Sequence, residues 1–180
     1  DYRFNILESL KIYTEKVEGS FNCENNELIS LFFSPKIIKK GFICKKNKLE
    51  TLKGSPYVIH GIFNCSDNQL TSLEGGPKIV EGDFNCSYNK LISLKNFPEI
   101  ISGNINISNN DLKSLDGIVK VLKKSLDCSN NKLEGLESCP EIVEGTLYCL
   151  NNNLKIERLK YLPDIKNDFI VIKGNKNLNK

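Results

Sequence analysis

The chain has no methionine and no tryptophan, and only one histidine, His60, in 180 residues. Alanine is missing too. No apolar run approaches the roughly 20 residues that a membrane-spanning helix needs. No CxxC pair occurs among the 7 cysteines, which excludes the zinc-ribbon and dithiol-oxidoreductase spacings. There is no P-loop, no GxGxxG and no HExxH. The opening Asp1-Tyr2-Arg3-Phe4 is not a secretory signal. Without a methionine at position 1, the chain reads as a fragment or a processed product. The formal net charge of +3 is too small to indicate a partner by itself. Absent alanine, with abundant lysine, asparagine and isoleucine, points to an AT-rich genome, viral or microbial. That bias inflates lysine, so a basic cluster must meet a stricter standard.

What the chain does have is a period. Phe21, Phe42, Phe63 and Phe84 recur at a step of 21, and Cys23, Cys44, Cys65 and Cys86 keep the same step. Asn26, Asn47, Asn68, Asn89, Asn110, Asn131 and Asn152 follow it, as do Leu28 to Leu154 and Leu31 to Leu136. A fixed period near 20 residues specifies a solenoid, whose units bury their apolar sides only against one another. Six cysteines fall on the repeat (Cys128 and Cys149 complete the column) and Cys139 does not. A stacked column of small buried thiols in a reducing compartment fits this pattern better than a disulfide scaffold. Sequons at Asn64, Asn85 and Asn106 lie inside expected strands, where glycans would crowd the sheet. The expected location is therefore intracellular, in the cytoplasm of the source or of a host cell.

Within one unit, Val80, Gly82, Phe84 and Cys86 alternate with Glu81, Asp83, Asn85 and Ser87. Period two predicts a strand with one buried face. Asn89 turns the chain, and Leu91 and Leu94 re-enter the core. Pro35, Pro56, Pro77, Pro98 and Pro140 hold the return segment in extended or turn geometry. The ladder asparagines are expected to satisfy buried backbone groups at the turn.

Phe84-x-Cys86-x-x-Asn89-x-Leu91 resembles the leucine-rich-repeat signature L-x-L-x-x-N-x-L. Leu94-x-x-x-Pro98 is similar to the short bacterial-effector subclass, and Cys- and Gly-containing units of this kind resemble those of phage and viral repeat proteins. One extra residue before the strand phenylalanine, and the glycines Gly61, Gly82, Gly103 and Gly145, depart from that subclass. The resemblance implies a curved right-handed solenoid with one parallel sheet, a helix-poor convex side and a macromolecular partner on the concave sheet. A parallel β-helix-like solenoid is the alternative. Effector relatives can carry a ubiquitin-ligase domain, but no residues here match one.

Three segments are expected: 1–18 as a partial first repeat or cap, 19–165 as repeats, and 166–180 as a degenerate last repeat, cap or truncation point. Tyr2 and Phe4 either form a makeshift cap or follow a missing unit. Phe169-Ile170-Val171-Ile172 is apolar on both faces, so Phe169 and Val171 mark a self-association surface or one meeting its own tail or a missing domain.

The columns Glu15/Lys36/Tyr57/Lys78/Glu99/Lys120/Glu141 and Glu27/Lys48/Gln69/Lys90/Asp111/Lys132/Asn153 read as rung-pairing charge ladders. The cluster Lys36, Lys39, Lys40, Lys45, Lys46, Lys48 and Lys53 has acidic neighbours one rung away and no interleaved aromatics, so nucleic acid is not expected as a partner. His60 has no carboxylate fixed beside it by the pattern. No catalytic residue, metal ligand or cofactor is assigned. The candidate partner-binding residues are Asn64, Asp83, Asn85, Asn104, Asn106 and Asp127, with Tyr88 and Tyr148 as aromatic anchors. Beside them Ser66, Ser87, Ser108 and Ser129 complete an expected polar concave face. The leading functional expectation is a non-enzymatic module that binds a protein there. The alternatives are a rod assembling through its terminal strands, and the recruiting part of a larger enzyme. No membrane partner is expected.

Overall fold

The computed structural model describes residues 1–11, 14–166 and 169–178. It is a parallel β-solenoid, almost free of helix, in which each rung contributes two strands of two residues. The strands are β1 Lys16–Val17, β2 Phe21–Asn22, β3 Ile37–Ile38, β4 Phe42–Ile43, β5 Val58–Ile59, β6 Phe63–Asn64, β7 Ile79–Val80 and β8 Phe84–Asn85. They continue with β9 Ile100–Ile101, β10 Ile105–Asn106, β11 Val121–Leu122, β12 Leu126–Asp127, β13 Ile142–Val143, β14 Leu147–Tyr148, β15 Asp164–Ile165 and β16 Ile170–Val171. The even strands form one eight-stranded parallel sheet. The odd strands form a second wall of five strands, β1 to β9, and three strands, β11 to β15.

The solenoid and its helix-poor outline agree with the sequence. The single sheet does not: a second row of strands is present, as the β-helix-like alternative expects. The strand predicted to run from Val80 through Ser87 bends at Glu81–Asp83 and becomes two, β7 and β8. A Cβ placed on Gly82 would lie 2.6 Å from the Gly61 carbonyl carbon, so the corner packs backbone on backbone and requires glycine.

Inside, Phe21, Phe42, Phe63 and Phe84 stack with ring centroids 5.5, 5.6 and 5.8 Å apart. Tyr2 extends the stack at 5.7 Å from Phe21, and its amide donates to the Asn22 carbonyl. Beyond Phe84 the column continues as Ile105, Leu126 and Leu147, all buried. The lost volume is replaced elsewhere in the unit. The column Ser34, Ser55, Gly76 becomes Phe97, Ile118, Cys139, and Phe97 meets Phe84 edge-on at 5.1 Å. Close packing permits no uncompensated change of this size.

The asparagine column forms a continuous ladder. Asn68 is typical: its Oδ1 accepts the Leu49 amide of the preceding rung at 3.0 Å. Its Nδ2 donates to the carbonyls of Cys44 and Cys65, each at 3.1 Å, and so ties two rungs together. No buried side-chain polar atom among the described residues lacks a partner. The residue before each ladder asparagine is left-handed, with φ of 56° at Asn25, 54° at Lys46, 53° at Tyr88 and 51° at Asn151. The turn residue is thus one position earlier than the sequence reading placed it. Asparagine tolerates this region and lysine does so less well.

Two outcomes check this packing by urea denaturation. Asn68→Ala strands the Leu49 amide and lowers stability by about 1–3 kcal/mol, whereas Lys46→Asn raises it by up to ~1 kcal/mol. An unchanged midpoint for Asn68→Ala contradicts the ladder.

Candidate binding face

The outward face of the eight-stranded sheet carries the predicted asparagine column. Asn64, Asn85, Asn106 and Asp127 follow the inward Phe63, Phe84, Ile105 and Leu126 by one residue, so pleating turns them to solvent. Each also closes a local turn. The Ser66, Ser87, Ser108 and Ser129 amides donate to Oδ1 of Asn64, Asn85, Asn106 and Asp127 at 3.0, 3.0, 3.0 and 2.9 Å. This explains why Asn and Asp occupy the column: a short side chain with an acceptor ends the strand. It also corrects the serine reading. These four serines are only 3–4% exposed, drawn under the turn, and do not belong to the surface.

Oδ1 is therefore committed, while Nδ2 of Asn64, Asn85 and Asn106 has no protein acceptor among the described residues. The flanking column is more occupied. Asp83 Oδ1 accepts the Asn104 amide at 2.7 Å, and Asn104 Oδ1 accepts the Ser125 amide at 3.2 Å. Asn104, Asn106, Ser125, Asp127 and Tyr148 surround a depression of about 360 Å³ floored by Ile105. Four predicted residues meet here: Asn104, Asn106, Asp127 and Tyr148. Asn64, Asp83 and Asn85 lie on earlier rungs of the same face. Tyr88 is exposed but sits on the left-handed turn, away from the depression.

Two sites predicted separately form one surface. Tyr148 in β14 pairs in register with Val171 in β16. Phe169, two residues earlier and 73% exposed, shares the Val171 side of the strand. The polar depression therefore borders an apolar patch of Tyr148, Phe169 and Val171. β16 is the outermost strand of its sheet among the described residues.

The other candidates have structural duties. His60 Nδ1 lies 2.9 Å from Glu81 Oε2 on the next rung, so the histidine does have a carboxylate beside it, as one step of a charge ladder. Lys78–Glu99 at 3.4 Å, Lys120–Glu141 at 2.8 Å and Lys132–Asp111 at 2.6 Å realise the predicted ladders. In the lysine cluster, Lys45 pairs with Glu24, Lys48 with Glu27 and Lys53 with Glu74. Burial pushes the thiols of Cys23, Cys44, Cys65 and Cys86 up, Cys23 to about 12 and the others further, while Cys128 is raised first by its hydrogen bond with Cys149 and then by burial. Cys128 and Cys149 touch, Sγ to Sγ, at 3.3 Å. Among the described residues, no group of three or more His, Cys, Asp or Glu is placed to hold a metal ion, and no helix is long and apolar enough to cross a membrane.

One surface escaped the sequence reading. The second wall points Ile37, Val58, Ile79, Ile100, Val121 and Ile142 outward, one per rung. The signal was present as β-branched doublets such as Ile37-Ile38 and Ile100-Ile101, of which only the inner member belongs to the core. No strand pairing joins β9 to β11, and an opening of about 230 Å³ lies there, lined by Glu99, Ile100, Ile101, Ser102, Val119, Val121 and Lys123. At Val119 the repeat's proline is missing.

Comparison with protein-family models, with curated proteins and with solved structures finds no match to this chain.

The thiol column yields a pH test. An unfolded cysteine ionises near pH 8.5, whereas the buried thiols of Cys23, Cys44, Cys65 and Cys86 stay protonated well above that. The unfolded state then binds fewer protons, so stability is full below about pH 8.5 and falls as pH rises toward the folded values. The loss reaches up to ~1.4 kcal/mol per pH unit for each thiol. Urea unfolding between about pH 8 and 10.5 should fall more steeply in the native chain than in Cys65→Ala. Equal slopes would show that burial does not hold this thiol protonated.

Proposed function

We propose that the chain is a leucine-rich-repeat-type, non-enzymatic module that binds a protein on the face of its eight-stranded sheet. The observation that carries this reading is the confluence on β10 to β16. Unused amide donors, the Asp127 carboxylate and the Tyr148 ring adjoin exposed Phe169 and half-buried Val171 on one continuous surface. Interfaces favour aromatic anchors within a polar surround. None of these side chains is used to fill the core, and Phe169 is costly to expose unless something covers it. The F-x-C-x-x-N-x-L unit supports the repeat-family part of the reading, since such solenoids offer extended sheets to macromolecules.

A non-enzymatic role is supported by the occupation of the reactive groups. No nucleophilic side chain is fixed beside His60 by the repeat, and the thiols of Cys23, Cys44, Cys65 and Cys86 are buried with their ionisation pushed up, so none of these thiols is poised as a nucleophile. Assembly through the terminal strand draws on the same Phe169 and Val171. Because these share a face with Tyr148, one binding face accounts for all three.

A photo-reactive residue replacing Tyr148 should capture a discrete protein in extracts of the source cell. Adding Asn85→Arg and Asn106→Arg should abolish that adduct in a chain that is still folded by circular dichroism, with the urea midpoint lowered because the Ser87 and Ser108 amides lose their turn acceptors. An adduct that survives the arginines, or that forms equally from position 132, rejects this face.

A further inference from the structure

The second wall carries a surface that core packing and the binding face leave unexplained. Ile37, Ile100 and Val121 are 42%, 51% and 50% exposed, and Val58, Ile79 and Ile142 lie beside them, partly buried. Six consecutive rungs present a β-branched side chain outward, with Lys16 at one end of the column and Asp164 at the other. At about 4.8 Å per rung the eight positions span roughly 34 Å. A row of this length is uncommon on a surface that meets only water.

The charges flanking the row show what fits it. Consider a two-fold axis lying along the strand direction, midway between the rungs of Ile79 and Ile100. It reverses the order of rungs and sets each column against itself. Lys16 then faces Asp164, Lys36 faces Glu141, Lys39 faces Glu144, and Lys78 faces Glu99, while Ile37 meets Ile142, Val58 meets Val121 and Ile79 meets Ile100. Glu81 against Ser102 and His60 against Lys123 bring no opposite charges together. Shape follows the same operation. Tyr57, 63% exposed in an otherwise charged column, comes opposite Lys120, beside the opening of about 230 Å³ at the β9–β11 break. The opening combines apolar Ile100, Ile101, Val119 and Val121 with polar Glu99, Ser102 and Lys123, a mixture suited to a tyrosine, whose ring is apolar and whose hydroxyl is polar. A patch complementary to itself under a two-fold is what an isologous dimer requires.

We infer that this chain forms a two-fold dimer through the outward Ile/Val row of its second wall, with Tyr57 of each copy set into the opening between β9 and β11 of the other. The strands of the two sheets run in the same direction, an aligned face-to-face packing. The inference is independent of the protein-binding reading, because the eight-stranded face uses different columns and stays uncovered by this contact.

The test is sedimentation velocity of the whole chain from about 1 µM to about 1 mM, a range that spans weak to moderate complexes. A monomer–dimer equilibrium is expected. Ile100→Asp and Tyr57→Ala should each weaken it by at least ~10-fold. Lys36→Glu should weaken it, and adding Glu141→Lys should restore it. Phe169→Asp should leave it unchanged. Ile100 and Tyr57 are exposed, so both variants should keep the native urea midpoint; if Ile100→Asp does not, the Lys36/Glu141 exchange carries the test alone. A chain that stays monomeric throughout, a dimer indifferent to Ile100→Asp and Tyr57→Ala, or a dimer broken by Phe169→Asp overturns the inference.

Discussion

The structure depends on one interaction, the asparagine carboxamide that bonds to two rungs at once. Its oxygen takes an amide from the preceding rung, and its nitrogen serves carbonyls of both. Unlike apolar contacts, which tolerate sliding, this pair of bonds has one acceptable register. It imposes the period of 21, the left-handed residue before each asparagine and the absence of insertions along most of the chain. The exception is instructive. Around Pro163 the pairing slips, so that Ile142 meets Asp164 and Leu147 meets Ile170. Yet Asn175 still accepts the Asn152 and Leu154 amides at 3.1 and 3.2 Å and donates to the Cys149 carbonyl at 2.9 Å. One extra residue precedes β15 and a second falls between β15 and β16, and the ladder is preserved.

Once the ladder fixes the rungs, the remaining residues divide by direction. Inward columns trade volume with one another, as when Phe97 and Ile118 enlarge while Phe84 gives way to Ile105. Outward charged columns pair rung to rung, but these exposed pairs contribute little energy and mainly discourage mismatched stacking. Two surfaces fall outside both duties. One is the polar-to-apolar sweep from Asn106 to Phe169 on the eight-stranded sheet. The other is the Ile/Val row on the second wall.

Much of this was legible in the residues. The period, the buried Phe, Cys and Leu columns, the Asn ladder and the Lys/Glu ladders follow from recurrence and residue chemistry alone. The corner at Gly82 was not legible as a corner, because a glycine within an alternating run looks the same in a straight strand. Ser87 was assigned outward by alternation, but the Asn85 turn ends the strand and draws the serine under it. Four of the candidate residues, Asn104, Asn106, Asp127 and Tyr148, line one depression that alternation alone does not reveal. Tyr88 does not, and its left-handed φ cannot be read from a tyrosine. The link between Tyr148 and Val171 depends on the slipped register after Pro163, which column counting at a step of 21 misplaces. The Ile/Val row was hidden because a β-branched doublet looks like core on both sides.

The sharpest test uses the two kinds of asparagine side by side. Hydrogen exchange of side-chain carboxamides, followed by NMR in the native chain, separates those that hold rungs from those whose nitrogen faces solvent. The account predicts slow exchange at Asn47, Asn68, Asn89, Asn110 and Asn131, and fast exchange at Asn64, Asn85 and Asn106. Equal protection of the two sets would contradict it, because the face would then have no free donors and the ladder no special role.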